Sequence, residues 1–213
     1  MDLAVTLDGY IEGPRGEIDW CIMDEEIQFE DFLSTIDTIF YGRVSYEQWG
    51  RYRPDEHASD LEKSYWKAIN SKKKYVFTRS QRDFPGAEAI RGGIKDRERE
   101  IQAQPGKAIW LFGGASLITT LLQEDLIDEY RLSIHPVVLG SGKPLFAGLD
   151  FSKGLILKSN RIFKTGVVQL IIPIIQIQTA KKEAGDRHRR HVLTSETTKR
   201  KVCWPVQANN VMV

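Results

Sequence analysis

Cysteines and long apolar segments are both scarce in this chain, and each shortage excludes a class of protein. The 213 residues include two cysteines, Cys21 and Cys203, which lie far apart without the CxxC or Cys/His spacing of a metal site. Neither a disulfide framework nor a bound metal is therefore expected. No run of about 18 apolar residues could span a bilayer, and the N-terminus lacks the pattern of a signal peptide. These absences predict a cytoplasmic protein that neither binds a metal nor enters a membrane.

A surplus of positive charge, which proteins that bind nucleic acid usually carry, is also missing from most of the chain. The formal net charge is +1, but eight of the 30 Lys and Arg residues and only three of the 29 Asp and Glu residues lie from Pro173 onward. The first 172 residues therefore hold 22 basic and 26 acidic side chains. A mildly acidic body argues against nucleic acid as a partner.

The patterning predicts one domain followed by an appendage. Residues 1–172 contain the strand-like and helix-like segments, whereas residues 173–213 are rich in charge and lack either periodicity. We expect this basic tail to be disordered or an artefact of the gene model. A tail that binds RNA or an anionic surface is the alternative, which the lack of interleaved aromatic residues disfavours.

Short apolar runs rich in β-branched and aromatic residues predict the strands, and apolar residues at helical spacing separate the first four of them. This alternation predicts an α/β fold whose mostly parallel sheet carries helices on both faces. After about residue 126 strands follow one another directly, which adds antiparallel strands to the same sheet. The predicted strands are residues 3–7, 38–42, 74–78, 108–112, 130–139, 155–163 and 167–172. The predicted helix faces are Ile27, Phe29, Phe32, Leu33 and Ile36; Leu61, Tyr65, Trp66 and Ile69; and Ile118, Leu121 and Leu122.

Two strand-to-helix junctions carry residues that suit an anion. Gly113-Gly114 follows a strand and opens a helix, whose first turn offers unpaired N–H groups and the positive end of the helix dipole. Taken alone, the glycine pair fits a tight turn equally well. A second junction carries Gly42, Arg43 and Ser45. Its arginine could bind phosphate oxygens, unless it forms a surface ion pair and the serine only caps the helix.

A third junction, Thr78-Arg79-Ser80, places hydroxyl groups on both sides of an arginine. This arrangement suits the 2′-phosphate of NADP, and a solvated polar loop is an equally good interpretation. The loops at the carboxyl ends of parallel strands converge, so one elongated and multiply phosphorylated ligand could contact all three junctions. A dinucleotide is favoured, although the GxGxxG of the usual dinucleotide-binding fold is absent.

Five motifs, in order over about residues 2–172, resemble the dihydrofolate-reductase-like superfamily. They are TLDGYIEG, DTIFYGRVSYEQW, KYVFTRS, IWLFGGASL and LIDEYRLSIHPVVLGSGKPLF. Within the superfamily, the chain most resembles the branch that contains the C-terminal reductase domain of the bifunctional riboflavin-biosynthesis deaminase-reductase. The resemblance implies a three-layer α/β/α fold with a mostly parallel mixed sheet and antiparallel C-terminal strands. The zinc deaminase half of the bifunctional enzyme has no counterpart, because neither HxE nor PCxxC occurs.

The resemblance also implies NADPH as the cofactor and assigns residues to it. The loop that contains Tyr10 and Ile11 would pass the nicotinamide, whose carboxamide members of the family hold with backbone groups. The adenosine ribose and its 2′-phosphate would lie among Thr78, Arg79 and Ser80. The phosphates would lie against Gly42, Arg43, Ser45, Gly113, Gly114, Ala115 and Ser116.

The substrate side is less well defined. Asp8, a polar residue at the mouth of an apolar strand, is the predicted catalytic residue, although Asp-Gly is also a common turn. Trp20 could stack on a planar heterocycle or belong to the core packing, and Lys143 could contact a ribose phosphate. His135, inside an apolar strand, is interpreted as a core histidine. Dihydrofolate reductases place an acid on the first helix, and the candidates here are Asp24, Glu25, Glu26, Glu30, Asp31 and Asp37.

The predicted function is that of an NADPH-dependent reductase that transfers a hydride to a planar nitrogen heterocycle. The resemblance makes 5-amino-6-(5-phosphoribosylamino)uracil reductase of riboflavin biosynthesis the most similar activity. Dihydrofolate reduction and a non-catalytic NADPH-binding role are the alternatives. The late strands supply more β edge than one small domain easily covers, so we also expect a homodimer.

Overall fold

The computed structural model describes residues 1–22 and 29–174. It combines parallel and antiparallel strands with helices, so the predicted α/β class is confirmed. Residues 175–213, which form nearly all of the predicted tail and include Cys203, lie outside the described residues, as do Asp24, Glu25 and Glu26. The strands are β1 (Asp2–Thr6), β2 (Tyr10–Glu12), β3 (Ile36–Gly42), β4 (Lys73–Phe77), β5 (Glu88–Ile90), β6 (Ala108–Gly113), β7 (Glu129–His135), β8 (Lys143–Pro144), β9 (Ser159–Ile162) and β10 (Val168–Pro173). The helices are α1 (Phe29–Thr35), α2 (Arg43–Ser45), which continues as a π-helix (Tyr46–Gly50), α3 (Asp60–Asn70), α4 (Ile94–Gln102) and α5 (Ala115–Gln123).

The first sheet is entirely parallel and has the strand order β5-β4-β3-β6. Its central strand β3 lies between β4 and β6, with Phe40 opposite Tyr75 on one side and opposite Leu111 on the other. Ile39, Phe40 and Tyr41 are 0% exposed. Successive residues of a strand point to opposite faces, so burial of all three shows that both faces of β3 are covered.

The apolar core is accordingly divided between the two faces of this sheet. One cluster contains Phe40 and Leu111 and includes the buried side of α5. The other contains Tyr41 and Trp110, and the buried residues of α1 pack in it. Adjacent residues of β3 and β6 therefore contribute to opposite clusters, which is the three-layer arrangement that the sequence predicts.

The second sheet has the order β1-β7-β10-β9, with β1 parallel to β7 and the remaining pairs antiparallel. One prediction is wrong here, because within the described residues no backbone ladder joins β1 to β6 into a single sheet. The two strands are still neighbours: Trp110 Nε1 donates to the carbonyl of Asp2 at 3.3 Å, and a Cβ on Gly113 would lie 3.7 Å from Leu3 Cδ2. The Trp110 indole thus bonds to the carbonyl of Asp2, which would accept from the backbone of β6 if β1 and β6 formed a continuous ladder.

Some predicted elements are shorter in the structure. β7 ends at His135 because Pro136 has no N–H to continue the ladder. β9 covers only residues 159–162 of the predicted strand 155–163, and the side chains of residues 155–157 are exposed. Leu61 is 52% exposed on α3, so this residue does not belong to the buried face that its spacing predicts.

Residues 1–22 and 29–174 contain neither a membrane-spanning helix nor a metal-binding group. None of the helices described there combines the length and the hydropathy needed to cross a bilayer. In the same ranges, no three His, Cys, Asp or Glu side chains are grouped so that they could hold a metal ion.

Candidate active site

The carboxyl ends of the parallel strands lie at one edge of the molecule. In the first sheet, β3, β4 and β6 run in the same direction and end at Gly42, Phe77 and Gly113. In the second sheet, β1 and β7 are parallel and end together at the paired residues Thr6 and His135. The structure therefore brings the three predicted junctions and the loop after β1 to the edge where ligands of open α/β sheets bind.

Gly113 and Gly114 adopt backbone conformations that other residues avoid. Their φ angles are +133° and +61°, a region that residues with a Cβ rarely enter. Gly114 is the N-cap of α5, and its carbonyl accepts from the N–H of Leu117 at 2.9 Å and of Ile118 at 3.1 Å. Because glycine has no side chain to cap the helix, the N–H groups at the helix start stay available to an anion.

The start of α2 lies against the same glycines. A Cβ on Gly42 would lie 3.4 Å from the carbonyl oxygen of Gly113, and a Cβ on Gly114 would lie 3.2 Å from Ser45 Oγ. Ser45 makes no capping hydrogen bond with its side chain, so the alternative interpretation of this serine as a helix cap is not observed. Two helix starts thus meet at one place, with side-chain bulk removed on both sides.

A pair of arginines shares one carboxylate beside this place. Arg43 Nη1 lies 2.6 Å from Glu47 Oε2, and Arg82 Nη1 lies 3.5 Å from Glu47 Oε1. The alternative interpretation of Arg43 as part of a surface ion pair is therefore observed, although two guanidinium groups against one carboxylate leave a net positive charge at the surface. Glu47 and Arg82 were not predicted from the sequence, although Arg82 stands only two residues after Ser80 and its spacing was a usable signal.

The loop after β4 is held by its own hydroxyl groups and by a further arginine. Thr78 Oγ1 accepts from the N–H of Ser80 at 2.9 Å, and Ser80 Oγ accepts from the N–H of Arg82 at 3.1 Å. Arg91 donates from Nε to the carbonyl of Ser80 at 2.9 Å and from Nη2 to the carbonyl of Arg82 at 2.8 Å. Arg79 is exposed. The loop is therefore a shaped turn that keeps its hydroxyl protons available for donation.

These features fit a dinucleotide phosphate. The close approach of Gly42 and Gly114 leaves backbone N–H groups where a pyrophosphate could lie. Arg43 and Arg82 stand beside the hydroxyl-lined loop after β4, and a guanidinium group suits a terminal phosphate. We conclude that the predicted phosphate-binding residues are brought together by the fold, with Arg82 added to them.

Asp8 connects the loop after β1 to the loop after β7. Its carboxylate accepts from Thr6 Oγ1 at 2.6 Å and from the N–H groups of Leu139 and Gly140 at 3.1 Å and 2.7 Å. The hydrogen bond from Thr6 and those from the two backbone amides lower the pKa of Asp8. The carboxylate is therefore ionised at neutral pH. This geometry suits the positioning of two loops better than proton donation, and a catalytic role for Asp8 stays a prediction.

The predicted nicotinamide loop is fixed by the same network. Thr6 Oγ1, which donates to Asp8, accepts from the N–H of Tyr10 at 2.9 Å. Tyr10 and Ile11 lie on β2, which pairs with β8. Gly142 lies so close to the carbonyl oxygen of Glu12 that any larger residue there would collide with it. The backbone of residues 8–12 is thus held from two sides.

His135 anchors the end of the loop that follows β2. Its side chain is 1% exposed, its Nδ1 accepts from the N–H of Ile22 at 3.1 Å, and its ring packs edge-on against Trp20 at 5.3 Å between centroids. Burial lowers the pKa of His135. The predicted core histidine is therefore a neutral group that also holds Trp20 and Ile22 at the carboxyl edge.

Cys21 also lies beside His135, with Sγ 3.9 Å from Nε2, which resembles the start of a Cys/His nucleophilic pair. An imidazole nitrogen that accepts a hydrogen bond carries no proton, so the neutral ring has its proton on Nε2, facing the sulfur. Burial raises the pKa of the Cys21 thiol. His135 is thus placed to donate to Cys21 and not to deprotonate it, which excludes an activated thiol in this arrangement.

The remaining predicted substrate residues are already engaged with other groups. Lys143 Nζ forms an ion pair with Glu12 Oε1 across the β2–β8 pair. Trp20 Nε1 donates to the carbonyl of Glu17 at 3.2 Å. Asp37 accepts from the N–H of Lys107 at 2.8 Å at the start of β3, which is the edge opposite the site, so Asp37 is a wrong candidate. Glu30 and Asp31 are exposed in the first turn of α1.

Comparison with known proteins assigns the family. The RibD C-terminal domain family profile matches residues 1–169. The "Uncharacterized protein YyaP" of Bacillus subtilis (strain 168) is 53% identical over 172 residues, which cover 80% of this chain and 92% of that protein.

Two solved structures relate the fold to reductases. One is a diaminohydroxyphosphoribosylaminopyrimidine deaminase/5-amino-6-(5-phosphoribosylamino)uracil reductase from Thermotoga maritima, with a TM-score of 0.57, 14% identity and coverage of 81% of this chain and 55% of that one. Another is dihydrofolate reductase from Enterococcus faecalis complexed with NADP(H), with a TM-score of 0.55, 15% identity and coverage of 80% and 92%. At these identities the likeness shows the fold alone, and it confirms the dihydrofolate-reductase-like architecture. Because the family profile spans most of the described residues, the chain belongs to the RibD C-terminal domain family.

Proposed function

We propose that the protein is an NADPH-dependent reductase that transfers a hydride to a planar nitrogen heterocycle, of the type reduced in riboflavin biosynthesis. One observation carries the proposal: two helix starts without side-chain bulk, at Gly42 and Gly114, meet beside the two guanidinium groups that share Glu47. A polyanion with a pyrophosphate and a separate terminal phosphate matches this pattern of backbone and side-chain donors.

In this proposal each part of the carboxyl edge has a separate task. The N–H groups at Ala115 and Ser116, with the Ser45 hydroxyl, bind the pyrophosphate, while Arg43 and Arg82 bind the 2′-phosphate. Thr78, Arg79 and Ser80 surround the adenosine ribose. When bound, NADPH supplies the hydride, and the protein contributes orientation and the exclusion of water.

The backbone of Tyr10 and Ile11 holds the nicotinamide end, because the Thr6–Asp8 network fixes this loop. Trp20, kept in place by His135, covers the substrate ring. Asp8 acts by holding the loops at Leu139 and Gly140 in register, and the proton reaches the substrate from another group. The alternative of dihydrofolate reduction is less well supported, because in the described part of α1 both acids, Glu30 and Asp31, are exposed.

The first experiment is a titration of the purified protein with NADPH, followed by an assay of NADPH oxidation with a panel of pterins and aminopyrimidines. Saturable NADPH binding and substrate-dependent oxidation are the expected results. Binding without oxidation by any member of the panel would favour the non-catalytic alternative. Absence of NADPH binding would contradict both the enzymatic and the cofactor-binding function.

We further propose a cytoplasmic homodimer. The outer edge strand β9 and the residues before it present a run of exposed apolar side chains, including Ile156 at 57% and Ile162 at 72% exposure. An unpaired strand edge with apolar flanks invites a second copy of the chain. Light scattering should report a dimer for the native protein and a monomer for Ile162→Lys. A native monomer at micromolar concentration would contradict the proposal.

A further inference from the structure

Glu47 holds one arginine with each of its two carboxylate oxygens. Oε2 lies 2.6 Å from Arg43 Nη1, and Oε1 lies 3.5 Å from Arg82 Nη1. Arg43 belongs to the start of α2 and Arg82 to the loop after β4, so the carboxylate bridges two of the three junctions. A phosphate can be bound in the same way, because its oxygens accept from more than one guanidinium group. The carboxylate thus occupies the place that the proposed function gives to the 2′-phosphate.

The backbone that carries Glu47 is attached to the loop that carries Arg82. Glu47 lies in the π-helix that continues α2, and π-helical turns are rare and occur frequently at functional sites. The preceding Tyr46 is 1% exposed, its hydroxyl donates to the carbonyl of Pro85, and its ring packs against Phe84 at 5.8 Å between centroids. The contact between Glu47 and Arg82 is therefore fixed by the fold and is more than a local pair within one helix.

The loop after β4 has other contacts that hold its shape. Ser80 Oγ accepts from the N–H of Arg82 at 3.1 Å. Arg91 donates to the carbonyls of Ser80 and Arg82 at 2.9 Å and 2.8 Å. The side chain of Arg82 is 74% exposed, against 32% for Glu47. Another anion could therefore replace the carboxylate between the arginines without disturbing the backbone that carries them.

The relative strength of the two anions decides which of them holds the arginines. Exposed ion pairs contribute little to stability, because water screens them and two long side chains must be ordered. A phosphate monoester carries a charge of about −1.5 to −2 at pH 7 and three acceptor oxygens, whereas a carboxylate carries one charge and two oxygens. The 2′-phosphate of NADPH should therefore displace Glu47, but it binds less tightly than it would to arginines without a partner. NADH has a hydroxyl at this position and would leave the pairs in place.

We infer that Glu47 is an internal competitor of the 2′-phosphate, and that its displacement limits the affinity for NADPH and the preference for NADPH over NADH. The inference rests on the proposed function and adds a specificity-determining residue to it. In the free protein the carboxylate also keeps both guanidinium groups oriented, so less side-chain freedom is lost when the phosphate binds. The arginines and the acid therefore have opposite effects on NADPH affinity.

The test measures the dissociation constants of NADPH and NADH by calorimetry for the native protein and for Glu47→Gln. The variant should bind NADPH about three- to tenfold more tightly, because the amide carries no charge to hold the arginines. NADH should gain no affinity, because it does not displace the side chain at residue 47. Unchanged or weaker NADPH binding, or an equal gain for NADH, would overturn the inference. Failure of NADPH to bind the native protein would overturn the proposed function itself, and the inference with it.

Two further variants separate competition from other effects. Glu47→Asp keeps the negative charge, so it should gain less NADPH affinity than Glu47→Gln, and an equal gain in both variants would contradict the inference. Glu88→Gln is the matched control, because it removes a carboxylate that lies 2.8 Å from Arg97 at the start of β5, the edge opposite the site. This control should leave the dissociation constant of NADPH unchanged. A gain equal to that of Glu47→Gln would attribute the effect to overall charge and would overturn the inference.

Discussion

The carboxyl edge has two halves of different construction: the cofactor half, formed by the loops after β3, β4 and β6, and the substrate half, formed by the loops after β1, β2 and β7. In the cofactor half, backbone N–H groups, glycines in positive-φ conformations and two arginines around one carboxylate present a net positive surface. In the substrate half, side chains are already bonded within the protein: Asp8 accepts from the backbone N–H of Leu139, and Lys143 pairs with Glu12. The comparison teaches that one half leaves hydrogen-bond donors and positive charge open to a ligand, as the proposed cofactor requires, while the other is held in shape by internal contacts.

The close approach of Gly42 and Gly114, here called the glycine cradle, gives the largest expected effect. Gly114→Ala adds a Cβ near Ser45 Oγ at φ +61° and ψ 143°, and a residue with a Cβ in this sparsely populated conformation costs about 1 to 3 kcal/mol. The dissociation constant of NADPH should rise by roughly 30-fold or more, because the helix start must move. Gly92→Ala is the control, since its φ is also positive but its Cβ would meet nothing within 4 Å. If both variants lose NADPH equally, the cradle is not a binding site.

The arginine pair around the Glu47 carboxylate predicts the next largest effect. Arg82→Ala should raise the dissociation constant of NADPH roughly tenfold and that of NADH much less, because only NADPH carries the 2′-phosphate. Arg79→Ala tests the arginine predicted from the sequence in the same way. Arg97→Ala, which removes an arginine with two carboxylate partners elsewhere, should leave both dissociation constants unchanged. Equal losses of NADPH and NADH affinity in Arg82→Ala would remove this residue from the phosphate site.

The role of Asp8 predicts a smaller effect. If the residue positions the loops, Asp8→Asn should lower turnover by less than about tenfold, since an amide oxygen can still accept from Gly140. Loss of a group that transfers a proton would lower turnover by roughly 100-fold or more. Steady-state kinetics with the substrate found in the panel distinguish the two cases, and hydrogen exchange at the amide of Gly140 reports the state of the loop.

The neutral His135 predicts a modest dependence of stability on pH. Burial lowers the pKa of His135, so the unfolded chain binds its proton at a higher pH than the folded protein does. The stability is then fully present above the unfolded pKa of about 6.5 and decreases as the pH falls below it. Cys21, whose raised pKa keeps its thiol neutral in this range, is the titratable group seen against the ring.

His135→Asn isolates this contribution, because its side-chain oxygen can still accept from Ile22 but does not titrate. Thermal unfolding between pH 8 and pH 5 should have a shallower pH dependence in the variant than in the native protein. Equal slopes would show that other groups control the stability in this range.

Much of the fold was predictable because burial leaves a local record. The sequences of β3, β4 and β6 are apolar on both faces, because a strand that is covered on both sides of the sheet must bury both sets of side chains. The helix α4 was not predicted, since its sequence IKDREREIQ is mostly charged and only Ile94 and Ile101 mark its inner face. The separation of β1 and β6 into different sheets was not predictable either, because it depends on the tertiary contact between the Trp110 indole and the carbonyl of Asp2.

The site divides in the same way. The sequence identified the junction residues Gly42, Arg43, Gly113 and Gly114. The positive φ angles of Gly113 and Gly114, the close backbone approach at Gly42 and the fork of donors that only an arginine offers each restrict a position to few residue types. Glu47 and Arg91 could not be identified, because the sequence does not show whether a charged surface residue pairs with a neighbour in the chain or with a residue far away in it. Asp8 and Lys143 were identified as polar residues of a site, but their partners at residues 139, 140 and 12 were not.

By itself, the sequence determined the fold class, most of the strands, the family and the residues that we propose to face a phosphate, because each of these leaves a pattern along the chain. Only the tertiary structure decided which charges are already neutralised. That question depends on distances of a few ångströms between residues as far apart as Glu12 and Lys143, and the energy of a charge pair changes steeply over such distances.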